Sequence, residues 1–331
     1  MATICLKLIF AGLLFFTAQP AIAQPVTAKA ELDDAITVLK TYHINRAKVD
    51  WPTLELHAQE MISGKATASD AYPAIYYLIV QLGEKHTSLH TADRTKAMMT
   101  DQAVGSAHPY LTVLPEGHFL EGNIGLLTLP TDYGSPSDNI SYAQAAQQAV
   151  QRFSDKHVCR FIVDLRANTG GSMYPMVDGV EALLGSPPYG YWQAENKPDT
   201  AWTDPSNQFY SAQAGKPLPH VPAASRDLAS KSVVAVLIDH DTASAGEFTA
   251  IAFEGRPHTR IFGESTAGFL TSNMAHRLPD GALLAVSTGW STDRLHRPYR
   301  SEIVPDEPAA KGQATFDAAV AWLNRQSCPN D

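Results

Sequence analysis

A serine stands near the centre of the stretch IDHDTASAGEF, Ile238–Phe248, between the apolar runs SVVAVL and TAIAF. Presented at a strand-to-helix turn, the Ser244 hydroxyl could attack a carbonyl. It would need a base to take its proton and amides to receive the oxyanion. The helix start supplies part of this, because its unbonded N–H groups, that of Ala245 among them, favour negative charge. A plainer reading uses the same letters. Ser244-Ala-Gly-Glu247 fits the S-x-x-E capping box, in which the serine merely caps the helix. Thr242 or Asp241 could cap it equally well, freeing Ser244. Local sequence leaves both readings open.

Two other stretches offer the missing parts. FIVDLRANTGGS, Phe161–Ser172, reads as a buried strand ending in two consecutive glycines, Gly170 and Gly171, where backbone amides can be aimed without Cβ obstruction. It is no phosphate loop, since neither G-x-x-x-x-G-K-[ST] nor G-x-G-x-x-G occurs there. LGEKHTSLH, Leu82–His90, places His86 on a loop after a glycine stop. An imidazole with a pKa near 6.5 accepts a serine proton at neutral pH without strong perturbation. Taken singly, each has a bland alternative: an ordinary strand-to-helix turn and an idle surface histidine.

These pieces must be positioned by the elements around them. ELDDAITVLKTYH puts Leu32, Ile36, Leu39 and Tyr42 on one helical face. A second helix follows over DWPTLELHAQEMIS, with Pro52 in its first turn. A third covers SDAYPAIYYLIVQLG, from the Ser69 cap to Gly83. Residues 28–90 therefore read as a small helical subdomain. Beyond a polar stretch, Glu84 to Gly122, the pattern alternates: strand NIGLLTLP, helix AQAAQQAVQRF, strand CRFIVDL, helix YPMVDGVEALLG. After a further strand SVVAVLID come helix GEFTAIAF, strand TRIFGE, a hairpin turning at Pro279-Asp280-Gly281, and a last helix ATFDAAVAWLNRQ. This alternation predicts an α/β core over about 120–325. Residues 186–229, rich in Pro, Ser, Tyr and Trp, read as a lid-like excursion whose Tyr191, Trp192 and Trp202 could line a peptide groove.

The chain has 331 residues, 44% hydrophobic and 18% charged, with a formal net charge of -9. Such a balance fits a globular protein and argues against nucleic-acid or anionic-membrane partners. Residues 1–23 read as a secretory signal peptide: Lys7, the apolar run Leu8–Phe16, then Ala21-Ile-Ala23 for cleavage. The run is shorter than the roughly 20 apolar residues that span a bilayer. A periplasmic or secreted location follows. There Cys159 and Cys328 could pair as a disulfide or remain as two buried thiols. Neither has a metal-ligand spacing, and no cofactor is implied.

Read together and in order, LGEKHTSLH, NIGLLTLP, FIVDLRANTGG, VVAVLIDHDTASAGEF, RIFGESTAG and EIVPDEPA resemble the S41 peptidases, the tail-specific and tricorn-like proteases. The likeness runs from about Leu32 to Trp322. It implies a ClpP/crotonase-like catalytic domain and a serine-type endopeptidase acting on protein or peptide substrates, with Ser244 as nucleophile. Amides of Gly170 or Gly171 and of Ala245 would make the oxyanion hole. The processing-protease branch draws its base from a lysine in G-E-K-T-x-G-K-G. Here the stretch reads GESTAGFL, and Phe269 stands in the lysine's place. The tricorn-like branch uses a histidine at the His86 position, completed by a hydroxyl residue and a glutamate. Thr87 or Ser88 would supply the hydroxyl and Glu302 the acid, with Glu84 and Glu247 as competitors. The roughly 35 residues between Thr87 and Gly122 are too few for the PDZ domain of the processing proteases, a domain of about 80–90 residues.

Two rivals remain. The same fold serves retinoid-binding proteins, so a non-catalytic ligand-binding role is the alternative. An α/β-hydrolase esterase would need G-x-S-x-G, but Thr242 stands where the first glycine belongs and His86 precedes the serine.

Overall fold

The computed structural model describes residues 25–99, 113–134, 136–195, 197–202 and 228–329. The leader expected at 1–23 and residues 203–227 of the excursion lie outside the described residues.

Strand β7 (Val233–Ile238) is buried at every position, so both of its faces need cover. On one face Val234, Val236 and Ile238 join Phe161 and Val163 of β4 (Arg160–Asp164). They pack against α5 (Pro136–Asp155), α6 (Met173–Gly179) and α8 (Ala245–Phe253). On the other face Val233, Ala235 and Leu237 meet the terminal helix α9 (Gln313–Leu323). The sheet runs β11 (Glu307–Pro308), β8 (Thr259–Gly263), β7, β4, β3 (Ile124–Thr128), β2 (Glu116–Leu120). All neighbours are parallel except the β2–β3 hairpin. The α/β core expected from alternation is present. The helix read over YPMVDGVEALLG is two, α6 and α7 (Glu181–Leu184). Cys159, just before β4, is disulfide-bonded to Cys328.

A second, antiparallel sheet is built on β10 (Leu283–Asp293). It pairs with β9 (Thr271–Arg277) through the expected hairpin turn, with β1 (Ser88–His90) at one end, and with β5 (Gly190–Gln193) at the other. The excursion thus contributes strands, β5 and then β6 (Thr200–Ala201), to this sheet. Trp192 and Trp202 are 9% and 1% exposed and lie against Phe248 of α8, so they bury the sheet rather than line a groove. Tyr191, on the opposite face, stacks on His296. Buried Arg256 fastens both ends of the excursion, donating to the carbonyls of Leu183, Ala229 and Ser232.

Three helices, α1 (Ala28–Tyr42), α2 (Trp51–Met61) and α3 (Tyr72–Gln81), pack onto the β9–β10 hairpin, and α4 (Ala92–Met99) follows β1. Leu32, Leu39, Ile75 and Leu78 meet Leu278, Leu284 and Val286 there. Tyr42, expected on the buried stripe, is exposed because α1 ends there and His43 turns inward instead.

One contact on this seam is titratable. Glu31 of α1 is fully buried and accepts the Asp280 N–H at the hairpin turn (3.1 Å). Burial, then the neighbouring Asp280 carboxyl, pushes Glu31 up to about 8. In the unfolded chain it returns to the ordinary carboxyl range. The folded state therefore holds this proton more tightly, and its contribution to stability is full below the unfolded pKa and lost as pH rises toward 8. We expect the melting temperature to fall between pH 5 and pH 8, and Glu31→Gln to flatten that slope. An unchanged slope in Glu31→Gln would place the titration elsewhere.

Candidate active site

The turn after β7 is latched to the end of β4. The Asp239 carboxylate accepts the N–H groups of Ala167, Asp241 and Thr242 at 3.0–3.1 Å, and the Thr242 hydroxyl donates to Leu165 O (2.9 Å). Ala243 N–H closes the latch on Asn168 O (2.9 Å). Ser244 follows at φ 49°, ψ -114°, a sparsely populated conformation for a residue with a side chain. Such a backbone costs on the order of 1–3 kcal/mol and persists only where its surroundings hold it.

The holding group is Glu247, fully buried in the first turn of α8. Its carboxylate accepts Ser244 N–H (2.8 Å), Gly268 N–H (2.7 Å), Phe269 N–H (2.7 Å) and the Thr266 hydroxyl. Burial raises its pKa, and the four donors act against that rise. The capping-box arrangement is therefore present, with Glu247 reaching back to the Ser244 amide. The Ser244 hydroxyl has a further partner: His86 Nε2, at 3.1 Å. Capping motif and candidate nucleophile coexist in one turn.

His86 is fixed from its other nitrogen. Nδ1 lies 3.0 Å from Thr271 Oγ1 at the start of β9. That hydroxyl is 3.3 Å from Glu84 Oε1 and 2.9 Å from Ser287 Oγ of β10. Glu84 also accepts the Ser287 hydroxyl (2.6 Å) and the amides of His86 and Thr87 (2.8 and 2.9 Å). A carboxylate can only accept, so it sets the direction: Nδ1–H donates to Thr271, Thr271 toward Glu84. Nε2 is left with its lone pair facing Ser244. Desolvation lowers the His86 pKa and the Glu84 charge opposes this. Burial alone would raise Glu84, but Ser287 and the two amides hold it below the usual carboxylate range. The Phe269 ring meets the imidazole edge-on, with centroids 5.4 Å apart.

Ser88 and Glu302 are not brought to the imidazole. Ser88 is committed to β1, in register with Ala285. Glu302 is exposed because its neighbour Ile303 turns inward to the core. Thr87, the other expected hydroxyl, donates to Glu84 and accepts from Ser287 N–H. In this geometry Thr271 takes the hydroxyl place and Glu84 the acid place. Thr271 was missed because β9 gives only a strand pattern in sequence. Its one signal is that Thr271 and Asn273, two apart, must share a face.

Gly170 and Gly171 have φ values of 104° and 111°. A Cβ on Gly170 would lie 2.9 Å from Ser244 Cβ, and one on Gly171 only 1.9 Å from Asp132 O. Both positions require glycine. The Gly170 amide is occupied by Asn168 Oδ1 (2.9 Å). No acceptor for the amides of Gly171 or Ala245 is found among the described residues, which leaves both available as donors. Lys311 is paired with Asp241 and Asp239. No cluster of His, Cys, Asp and Glu suited to a metal occurs among the described residues.

Residues 123–308 match the family described as peptidase family S41. A nisin-resistance protein of Lactococcus lactis subsp. lactis is 27% identical over 281 residues, covering 84% of this chain and 81% of its own. The chloroplastic carboxyl-terminal-processing peptidase 2 of Arabidopsis thaliana is 27% identical over 179 residues, 52% of this chain but 30% of its own. Among solved structures, a lipoprotein from Streptococcus agalactiae superposes with TM-score 0.74 at 22% identity, covering 92% of this chain and 99% of its own. The photosystem II D1 C-terminal processing protease superposes with TM-score 0.57 at 15% identity, with the same coverage. At these identities the superpositions establish a shared fold.

The relay gives a sign that can be measured. The Glu84 charge favours the imidazolium, so Glu84→Gln should lower the His86 pKa further below its ordinary 6.5. NMR titration of the His86 ring checks this, and a rise in Glu84→Gln would break the relay.

Proposed function

The chain belongs to peptidase family S41, and from that premise we propose that it is a serine-type endopeptidase working in the cell envelope or outside the cell. Family membership carries a peptidase role on protein substrates. The serine mechanism is supported above all by the 3.1 Å contact between His86 Nε2 and Ser244 Oγ, within hydrogen-bond reach without substrate.

Ser244 Oγ attacks the scissile carbonyl as its proton passes to Nε2. The carbonyl oxygen becomes an oxyanion held by the amides of Gly171 and Ala245. The imidazolium, its Nδ1–H on Thr271 and the Glu84 charge behind it, then gives the proton to the leaving amine, which departs from an acyl-enzyme. Water, deprotonated by the same imidazole, attacks the ester through a second oxyanion, and Ser244 recovers its proton. The Ser244 turn is already strained into the presenting conformation, so no backbone rearrangement is needed at the moment of attack.

The extracytoplasmic setting is supported by the leader read at 1–23 and by the Cys159–Cys328 disulfide, since such bonds persist in oxidising compartments. Among the described residues no helix is long and apolar enough to cross a membrane.

A fluorophosphonate probe should label the wild-type chain on Ser244 and leave Ser244→Ala unlabelled; equal labelling of both would sink the serine assignment. Only the neutral imidazole accepts the serine proton. The acid limb of kcat/KM should therefore fall with a midpoint below the ordinary histidine 6.5, in line with the lowered His86 pKa. His86→Ala should lower kcat by about 10²–10⁴-fold, the usual share of a general base. Lys311→Ala should retain activity.

A further inference from the structure

We propose that Ser287 is a positioning residue for the candidate base, its hydroxyl standing between Thr271 and Glu84 in the hydrogen-bond chain that orients the His86 imidazole. The proposal deepens the serine-peptidase reading above and rests on it.

Three polar groups surround the Ser287 hydroxyl: Glu84 Oε2 at 2.6 Å, Thr271 Oγ1 at 2.9 Å and Asn273 Oδ1 at 3.0 Å. A serine hydroxyl has one proton to give and two lone pairs to receive with. Glu84 is the nearest of the three and the charged one, and hydrogen bonds to an ionised oxygen are the shorter and stronger kind. The Ser287 proton therefore lies toward Glu84. Thr271 also has one proton, with Ser287 Oγ at 2.9 Å and Glu84 Oε1 at 3.3 Å. Only the first is an ordinary O–H···O distance, so Thr271 gives its proton to Ser287. The chain then runs from Nδ1–H to Thr271, from Thr271 to Ser287 and from Ser287 to Glu84, each donor used once. No proton moves along it. It makes the Nδ1–H tautomer the one that satisfies every member.

The surroundings fit this direction. Asn273 Nδ2 donates to the His86 carbonyl (3.1 Å), so its Oδ1 is the atom facing Ser287. Oδ1 carries no hydrogen and does not compete with Thr271 for the serine lone pairs. Ser287 is fully buried and held by its own backbone: its N–H donates to Thr87 Oγ1 (3.1 Å) and its carbonyl accepts the Ile44 N–H (2.8 Å). It is the register partner of Asn273. One residue thus joins the end of α1, the 84–87 loop and the hairpin. Burial would raise the Glu84 carboxyl, and Ser287 is the foremost of the donors that oppose this. A hydroxyl buried only for stability would make the same contact with Glu84. The two roles differ in where the Thr271 proton points and in what its loss does to the imidazole.

Neutron diffraction from crystals of the wild-type chain in heavy water reads the first difference. We expect the Thr271 deuteron on the line to Ser287 and the Ser287 deuteron on the line to Glu84. A Thr271 deuteron aimed at Glu84, or a Ser287 deuteron turned to Asn273, overturns the proposal. For the second difference, Ser287→Ala should lower kcat roughly tenfold or more with KM nearly unchanged, the scale of one lost hydrogen bond to a charged group. Nitrogen NMR of the His86 ring should show a single Nδ1–H tautomer in the wild type and a mixture in Ser287→Ala. Ser287→Thr, which returns the hydroxyl, should recover most of both. A Ser287→Ala chain that melts earlier but keeps wild-type kcat and tautomer would reduce Ser287 to a stability role and sink the idea. The deuterons decide alone should the variants not fold. If the fluorophosphonate does not react with the wild type, the peptidase reading falls. The deuterons and the tautomer need no activity, and they then uphold or overturn the orientation by themselves.

Discussion

The Glu247 carboxylate collects donors from two separate segments while wholly buried. A charge in that position is tolerable only when every lone pair is used, and removing any donor leaves a costly orphan. That requirement joins the Ser244 turn to the 266–269 loop. The loop leads directly into β9 and so to Thr271. The strained conformation of the serine, the seat of Phe269 against the imidazole and the start of the hairpin are therefore consequences of satisfying one buried anion.

The second organising group is Glu84, and its environment differs in an instructive way. Glu247 is met mainly by backbone amides, which cannot change direction; Glu84 is met by hydroxyls and amides together. Hydroxyls rotate, so Thr271 can accept from the histidine while donating onward. One carboxylate fixes backbone shape and the other fixes a tautomer. Both roles are filled by residues on opposite sides of the seam between the parallel sheet and the β10 sheet.

Much of this was legible from the chain alone, and for identifiable reasons. The parallel core could be read because β7 is apolar at every position and is flanked by turn residues. The double glycine was legible as a turn because its backbone demands restrict residue type locally; the serine turn was not decided locally and stood out only from the order of the motifs along the chain. The hydroxyl partner of His86 was not legible, because it is set by register; Glu84, two residues before the histidine, was legible only as one of several candidate acids. Thr271 faces the imidazole only because β9 and β10 pair as they do, with an irregularity between Ser287 and Gly289. Ser88, adjacent in sequence, is drawn into β1 instead. The tryptophans of the excursion misled for a related reason: a strand hidden in a Pro-rich stretch has no periodic signature until its partner β10 is known.

The family match spans 123–308, and His86 and Glu84 lie before it. The part of the chain most easily recognised thus carries the serine, the glycine turn and Thr271, but lacks the imidazole. On the mechanism proposed above, a gene fragment encoding that part alone would specify the serine without the group proposed to take its proton. On the same reading, loss of the helical segment would leave the recognisable signature unaltered while removing that group. Ancestry in such a chain can be read from one portion, and competence only from the junction of two.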